Sequence, residues 1–223
     1  MTTDTPHRLS QAAPRPAARL IVPYADEGVI KSVSSDDYEL SPGTFDEAAQ
    51  QNPLWVAWVQ PDAIAARIDA LFADTVPARR KKPPNVDRFS FEMIDWLCEE
   101  VFDEIFTDVD ALEAPENRAV AGQLVTYFGE ALRILANGEW FASGTKYPSP
   151  LFDLEFTPKV GYRWNWQGSD DLTDMFYEAV EIDGGPDAFG VISTGIYSRV
   201  AEYKKTLGHP YPDDEVTGQR GRS

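Results

Sequence analysis

The chain has 223 residues, 43% of them hydrophobic and 12% aromatic, which is enough apolar material for a core and too much for a wholly disordered chain. Asp and Glu number 37 against 20 Lys and Arg, a formal net charge of −17 that repels nucleic acid and anionic membrane surfaces. One cysteine excludes an intramolecular disulfide framework, and with only two histidines it also excludes a Cys/His zinc cluster.

Residues 1–19 are rich in Pro, Ala and Thr, and residues 20–43 hold only short apolar pieces between turn formers. The stretch 1–43 therefore reads as extended or disordered, with one domain over 44–207 and a flexible tail over 208–223. Met1 to Pro23 carries no apolar run behind a basic segment, and no apolar stretch of about 18 residues occurs anywhere. The expectation is a cytoplasmic protein with no membrane partner, and the lone Cys98 is in keeping with a reducing compartment.

The first strong helix is expected over Pro61–Asp74, where Ile64, Ile68, Leu71 and Phe72 share one face behind a proline suited to a first helical position. A basic link, Arg79-Arg80-Lys81-Lys82-Pro83-Pro84, follows and reads as solvated. A second helix is expected over about Val86–Thr107, with Phe89, Met93, Leu97, Val101 and Ile105 in a stripe. Its opposite face carries Glu92, Asp95, Glu99 and Asp103, with Glu100 and Glu104 beside them. From Asp87 to Glu116 there are eleven acidic residues and one basic residue, Arg88.

A third helix is expected from Pro115 to Asn137, buried through Val120, Leu124, Tyr127, Phe128, Ala131 and Leu135. Gly122 and Gly129 lie on a second ridge with Ala119 and Thr126, and each costs about 1 kcal/mol against alanine. The ridge predicts a second backbone packed close against it. Asn137-Gly138 supplies the stop. Strands are expected over Glu139–Ser143 and Leu151–Phe156. Over Lys159–Gln167 the alternation of Val160, Tyr162, Trp164 and Trp166 favours a strand, while Thr157-Pro158 leaves a short helix open. Two helices close the chain, one capped by Ser169 and one over about Asp187–Leu207 that stops at Gly208. The pattern predicts a helix-dominated α+β domain with a small antiparallel sheet.

Tyr127-Phe128-Gly129-Glu130, Gly138-Glu139-Trp140 and Phe176-Tyr177-Glu178-Ala179 together resemble small α+β modules of uncharacterised bacterial proteins. The resemblance spans about residues 124–182. It implies no activity.

His7 and His209 lie in the tails, away from any nucleophile, and Cys98 sits at the edge of an apolar stripe as a small hydrophobe. No phosphate-cradling glycine loop and no nucleophile elbow is present, so neither a catalytic residue nor a cofactor is expected. Soft ligands and spaced histidines are lacking, so no tightly bound transition metal is expected either. Asp95, Glu99 and Asp103, at i, i+4 and i+8, could grip a divalent cation, and Glu130 with Glu139 could pair as acid and base; a solvated face and surface roles are favoured for both sets. The leading expectation is an acidic protein-binding module, such as an inhibitor or immunity-type protein masking a basic partner. Glu92, Asp95, Glu99, Glu100 and Asp103 would form the surface, and Trp164 and Trp166 the aromatic anchors. A carboxylate–metal enzyme and a subunit of a larger assembly are the alternatives.

Overall fold

The computed structural model describes residues 46–149, 154–181 and 189–208; at 145–149, 154–155, 166–167 and 189 it describes the backbone alone. The expected N-terminal segment 1–43 lies outside the described residues, as does the C-terminal tail beyond Gly208. Within them the fold is helix-dominated α+β with a three-stranded antiparallel sheet, as the pattern predicts.

Two short helices come first. α1 (Glu47–Gln50) is capped by the Asp46 carboxylate, which accepts from the Ala49 N–H, and α2 (Pro53–Trp58) by the Asn52 side chain. Both are under two turns, too short to display a helical period, and neither is expected from the sequence. α3 (Pro61–Ala70) buries Ile64 and Ile68 and runs on through a π-turn, Leu71–Thr75. α4 (Phe91–Leu97) starts later than its apolar stripe implies, because the Ser90 hydroxyl caps it by accepting from the Met93 N–H. A second π-turn, Cys98–Phe102, joins it to α5 (Asp103–Ile105), and α6 (Val109–Glu113) follows on an Asp108 cap.

α7 (Arg118–Leu135) is the central rod. Every residue from Leu124 to Leu132 is buried, so the helix is surrounded rather than laid on a surface. Phe128 meets Phe176, which in turn meets Phe102 with ring centroids 4.9 Å apart. Each such fully buried side chain contributes about 1.5–3 kcal/mol. The rod ends where the sequence predicts. Asn137 adopts φ 52°, and the Gly138 N–H turns back to the Arg133 carbonyl at 3.2 Å.

The sheet runs in the order β1 (Glu139–Ser149), β2 (Leu154–Tyr162), β3 (Asn165–Asp171). The stretch expected as one strand over 159–167 is strand, but broken: the chain reverses at Arg163–Trp164, so Tyr162 pairs with Asn165. Pro158 is accommodated opposite Ala142, one residue outside the ladder with β3, which stops at Lys159↔Asp171. β1 is an edge strand, and side chains from α1 cover part of that edge. The Gln50 amide donates to the Ala142 carbonyl at 2.5 Å and accepts from the Ala142 N–H at 3.1 Å; Asp46 accepts from the Gly144 N–H at 3.2 Å.

α8 (Leu172–Glu181) is capped by Asp171, whose carboxylate accepts from the Thr173 and Asp174 N–H groups. Ser169, the expected cap, is instead paired with Gly161 in β3. α9 (Phe189–Thr206) closes the fold and packs Ile192, Ile196 and Val200 inward.

Candidate functional site

The acidic helix does not present its carboxylates as one solvated row. Glu92 and Glu99 are exposed. Asp95 is half-buried under α9 and accepts a hydrogen bond from the Tyr197 hydroxyl. Glu100 is buried and paired with Lys81. Asp103 is half-buried and makes no hydrogen bond or ion pair among the described residues, and its burial, with Glu99 beside it, pushes its carboxyl up to about 6. Two features cause the departure from the expected surface. The π-turn at Cys98–Phe102 adds a residue to one turn, displacing Asp103 by about 100° from its place on an uninterrupted helix. The basic link then folds back on the helix, bringing Lys81 to Glu100 and Arg79 to 3.6 Å from Glu104. The link expected to be solvated thus supplies counter-charges from within the chain.

Four carboxylates of this stretch, Glu92, Glu99, Asp110 and Glu116, are exposed and make no hydrogen bond or ion pair among the described residues. Asp95, Glu99 and Asp103 do not converge, and no group of three potential ligands among the described residues is placed to hold a metal ion. Cys98 is buried, and desolvation, with Asp103, Asp95 and Glu99 nearby, pushes its thiol well above the ordinary range. That keeps it protonated and unreactive.

Trp164 sits on the β2–β3 turn. Its indole N–H donates to the Ala136 carbonyl at 2.6 Å, and its ring leans on Tyr162 and Tyr203. The ring is half-buried and borders an open depression of about 330 Å³ shared with Asn165, Glu202, Lys205 and Thr206. The side chain of Trp166 lies outside the described part of the structure.

A second centre, which the sequence reading does not assemble, lies where α2, α3, α7 and the sheet meet. Trp55 stacks on Trp58 at 5.5 Å, and Trp58 meets Trp140 edge-on at 5.2 Å. The Trp140 ring lies over Gly129 of α7; a Cβ there would come within 1.9 Å of Trp140 Cη2. The glycine ridge therefore admits an indole at this point, and the second backbone expected there is not what fills it. The Trp140 N–H donates to Glu130 at 3.0 Å, and the other Glu130 oxygen pairs with Arg133 at 2.5 Å. Glu139 pairs instead with Arg163, so Glu130 and Glu139 do not form an acid–base couple. Over the Trp58 ring, 4.2 Å from its centroid, lies the Arg67 guanidinium. The separate signals were present in the sequence as Trp55 and Trp58 three apart and a glycine inside a helix; their convergence on Arg67 was not.

At the far side of the sheet, Asp170 takes both Arg199 Nη2 at 2.8 Å and Arg199 Nε at 3.0 Å, and the Tyr162 hydroxyl also donates to it. Lys159 pairs with Asp171 at 3.0 Å. These charges are matched within the fold and tie α9 and β2 to β3. No family model, characterised protein or solved structure gives a significant match to this chain.

Proposed function

We propose that the chain is a non-enzymatic, acidic protein-binding module of the cytoplasm, whose partner presents a basic surface. An inhibitor or immunity-type protein that masks a basic enzyme is one form of this reading. The observation that supports it is the unbalanced charge left after the fold has made its own pairs. Glu92, Glu99, Asp110 and Glu116 remain exposed and unpaired among the described residues on the segment with eleven acids, and Arg88, its one base, is bonded to Asp69. Core packing fixes the apolar stripe of a helix but does not demand one sign of charge outside it, and a surface built only for solubility interleaves both signs. A field of one sign speeds encounter with an oppositely charged partner and disfavours others.

The test uses immobilised full-length protein and an extract of its source cells, with the variant E92K/E99K in parallel. The two substitutions are exposed and leave the fold intact, at a cost under about 0.5 kcal/mol each. A basic protein retained by the native chain at low salt, released at high salt and lost from the variant is the expected result. Identical retention by both chains, or no retained basic protein, overturns the reading.

A further inference from the structure

Arg67 stands apart from the matched charges described above. Its Nε donates to the Thr126 hydroxyl at 2.8 Å and its Nη2 donates to the Trp58 carbonyl at 2.5 Å, while its central carbon lies over the Trp58 ring, 4.2 Å from the centroid. Thr126 is itself fully buried and fixed, since its hydroxyl donates to the Gly122 carbonyl at 2.7 Å. The guanidinium is thus held by two hydrogen bonds and by the Trp58 ring beneath it. Among the described residues no carboxylate pairs with it. The nearest acid on α7 one turn beyond Thr126, Glu130, is consumed by Arg133 and Trp140. Arg67 is thus a half-buried arginine with no ion pair among the described residues, in a chain with 37 acids.

We propose that Arg67, seated on Trp58 and braced by Thr126, is a binding site for the oxyanion of a small molecule, a carboxylate or a phosphate. A guanidinium carries five N–H donors in a rigid fork, and the two bonds above engage only two of them. The remaining donors, on Nη1 and on Nη2, match two oxygens of a carboxylate or phosphate, the geometry in which arginine binds such groups best. Immobilising the side chain beforehand removes the entropy that a free arginine would lose on binding. Burial brings the Arg67 pKa down to about 10, so the group stays charged at neutral pH with no ion pair among the described residues. An arriving anion supplies one. The partner is a small molecule and not a polyanion, because a chain of net charge −17 repels nucleic acid and anionic lipid over distances that a small anion crosses easily.

The experiment titrates the full-length protein with sodium acetate and, separately, with sodium phosphate, against sodium chloride at matched ionic strength. The readout is the emission of the tryptophan cluster, because Trp58 touches the guanidinium directly. The expected result is a saturable change with acetate or phosphate that chloride does not produce, and the stronger of the two names the ligand class. R67Q abolishes the change. R67K, which keeps the charge but not the fork, weakens binding about tenfold or more and serves as the second variant if R67Q does not fold. A response no different from chloride in both titrations overturns the proposal, as does an undiminished response in either variant.

Discussion

Asp103 shows how much one residue's surroundings alter its chemistry. Burial and the charge of Glu99 raise Asp103 from 3.8 to about 6. The folded state therefore binds a proton that the unfolded chain releases between about pH 4 and pH 6. Stability contributed by the protonated group is present below that window and is lost as pH rises through it. Asp103 is half exposed, so solvent screening reduces the effect to about 1 kcal/mol at neutral pH. Asp103→Asn is expected to raise unfolding stability by about that amount at pH 7.5 and by little at pH 4. Urea unfolding at the two pH values checks this; an equal gain at both, or a loss at pH 7.5, would contradict it. Nothing in the sequence singles out Asp103 from Asp95 or Glu99, because the three share one helical spacing. What separates them is the π-turn and the helix packed across them, neither of which leaves a local pattern. Gly129 is the contrasting case: its cost within a helix is visible in the sequence and does mark a close approach, though of an indole.

At the scale of elements, long periodic helices were legible and short ones were not. α3, α7, α8 and α9, and α4 taken together with its π-turn and α5, each repeat their apolar residues over two turns or more, whereas α1, α2 and α6 rely on a cap and a few contacts. Alternation over Val160–Trp166 marked the end of β2 and the start of β3 as strand, while Ser169–Asp171, expected to open a helix, completes β3. The reversal at Arg163–Trp164 left no such mark, because the alternation of aromatics runs straight through it. The basic link was legible as a charge run but not as the partner of Glu100 and Glu104, about twenty residues further on. The joint between α9 and the sheet depends on Arg199, whose two nitrogens hold Asp170 in a shielded setting. Arg199→Met leaves that carboxylate with the Tyr162 hydroxyl alone and is expected to cost about 2–4 kcal/mol. Glu202→Gln removes only the exposed arm of the same arginine and is expected to cost under about 0.5 kcal/mol. Denaturant unfolding of the pair tests the assignment; similar losses for both would show that the shielded Asp170 contact is not what holds the joint.

For the whole molecule, the decisive quantity is the surplus of negative charge. Eight ion pairs within the described residues do not balance it, so repulsion works against the folded state. Raising sodium chloride from low to moderate concentration screens long-range repulsion more than it weakens close, shielded pairs. The melting temperature is expected to rise by several degrees; a fall would mean that the exposed ion pairs dominate.

The cover that α1 places over β1 bears on how the protein avoids assembling with itself. A bare edge strand offers a row of N–H and C=O groups to any other extended chain, and it is where sheets of different molecules join. Here the primary amide of Gln50 offers one donor and one acceptor to Ala142, as an adjoining strand would, and Asp46 takes the next free N–H, at Gly144. Two side chains thus imitate a neighbouring strand at these two positions. The consequence is a ladder terminated from within the monomer, so that growth into a fibril has no template at Ala142 and Gly144 unless α1 first lifts away.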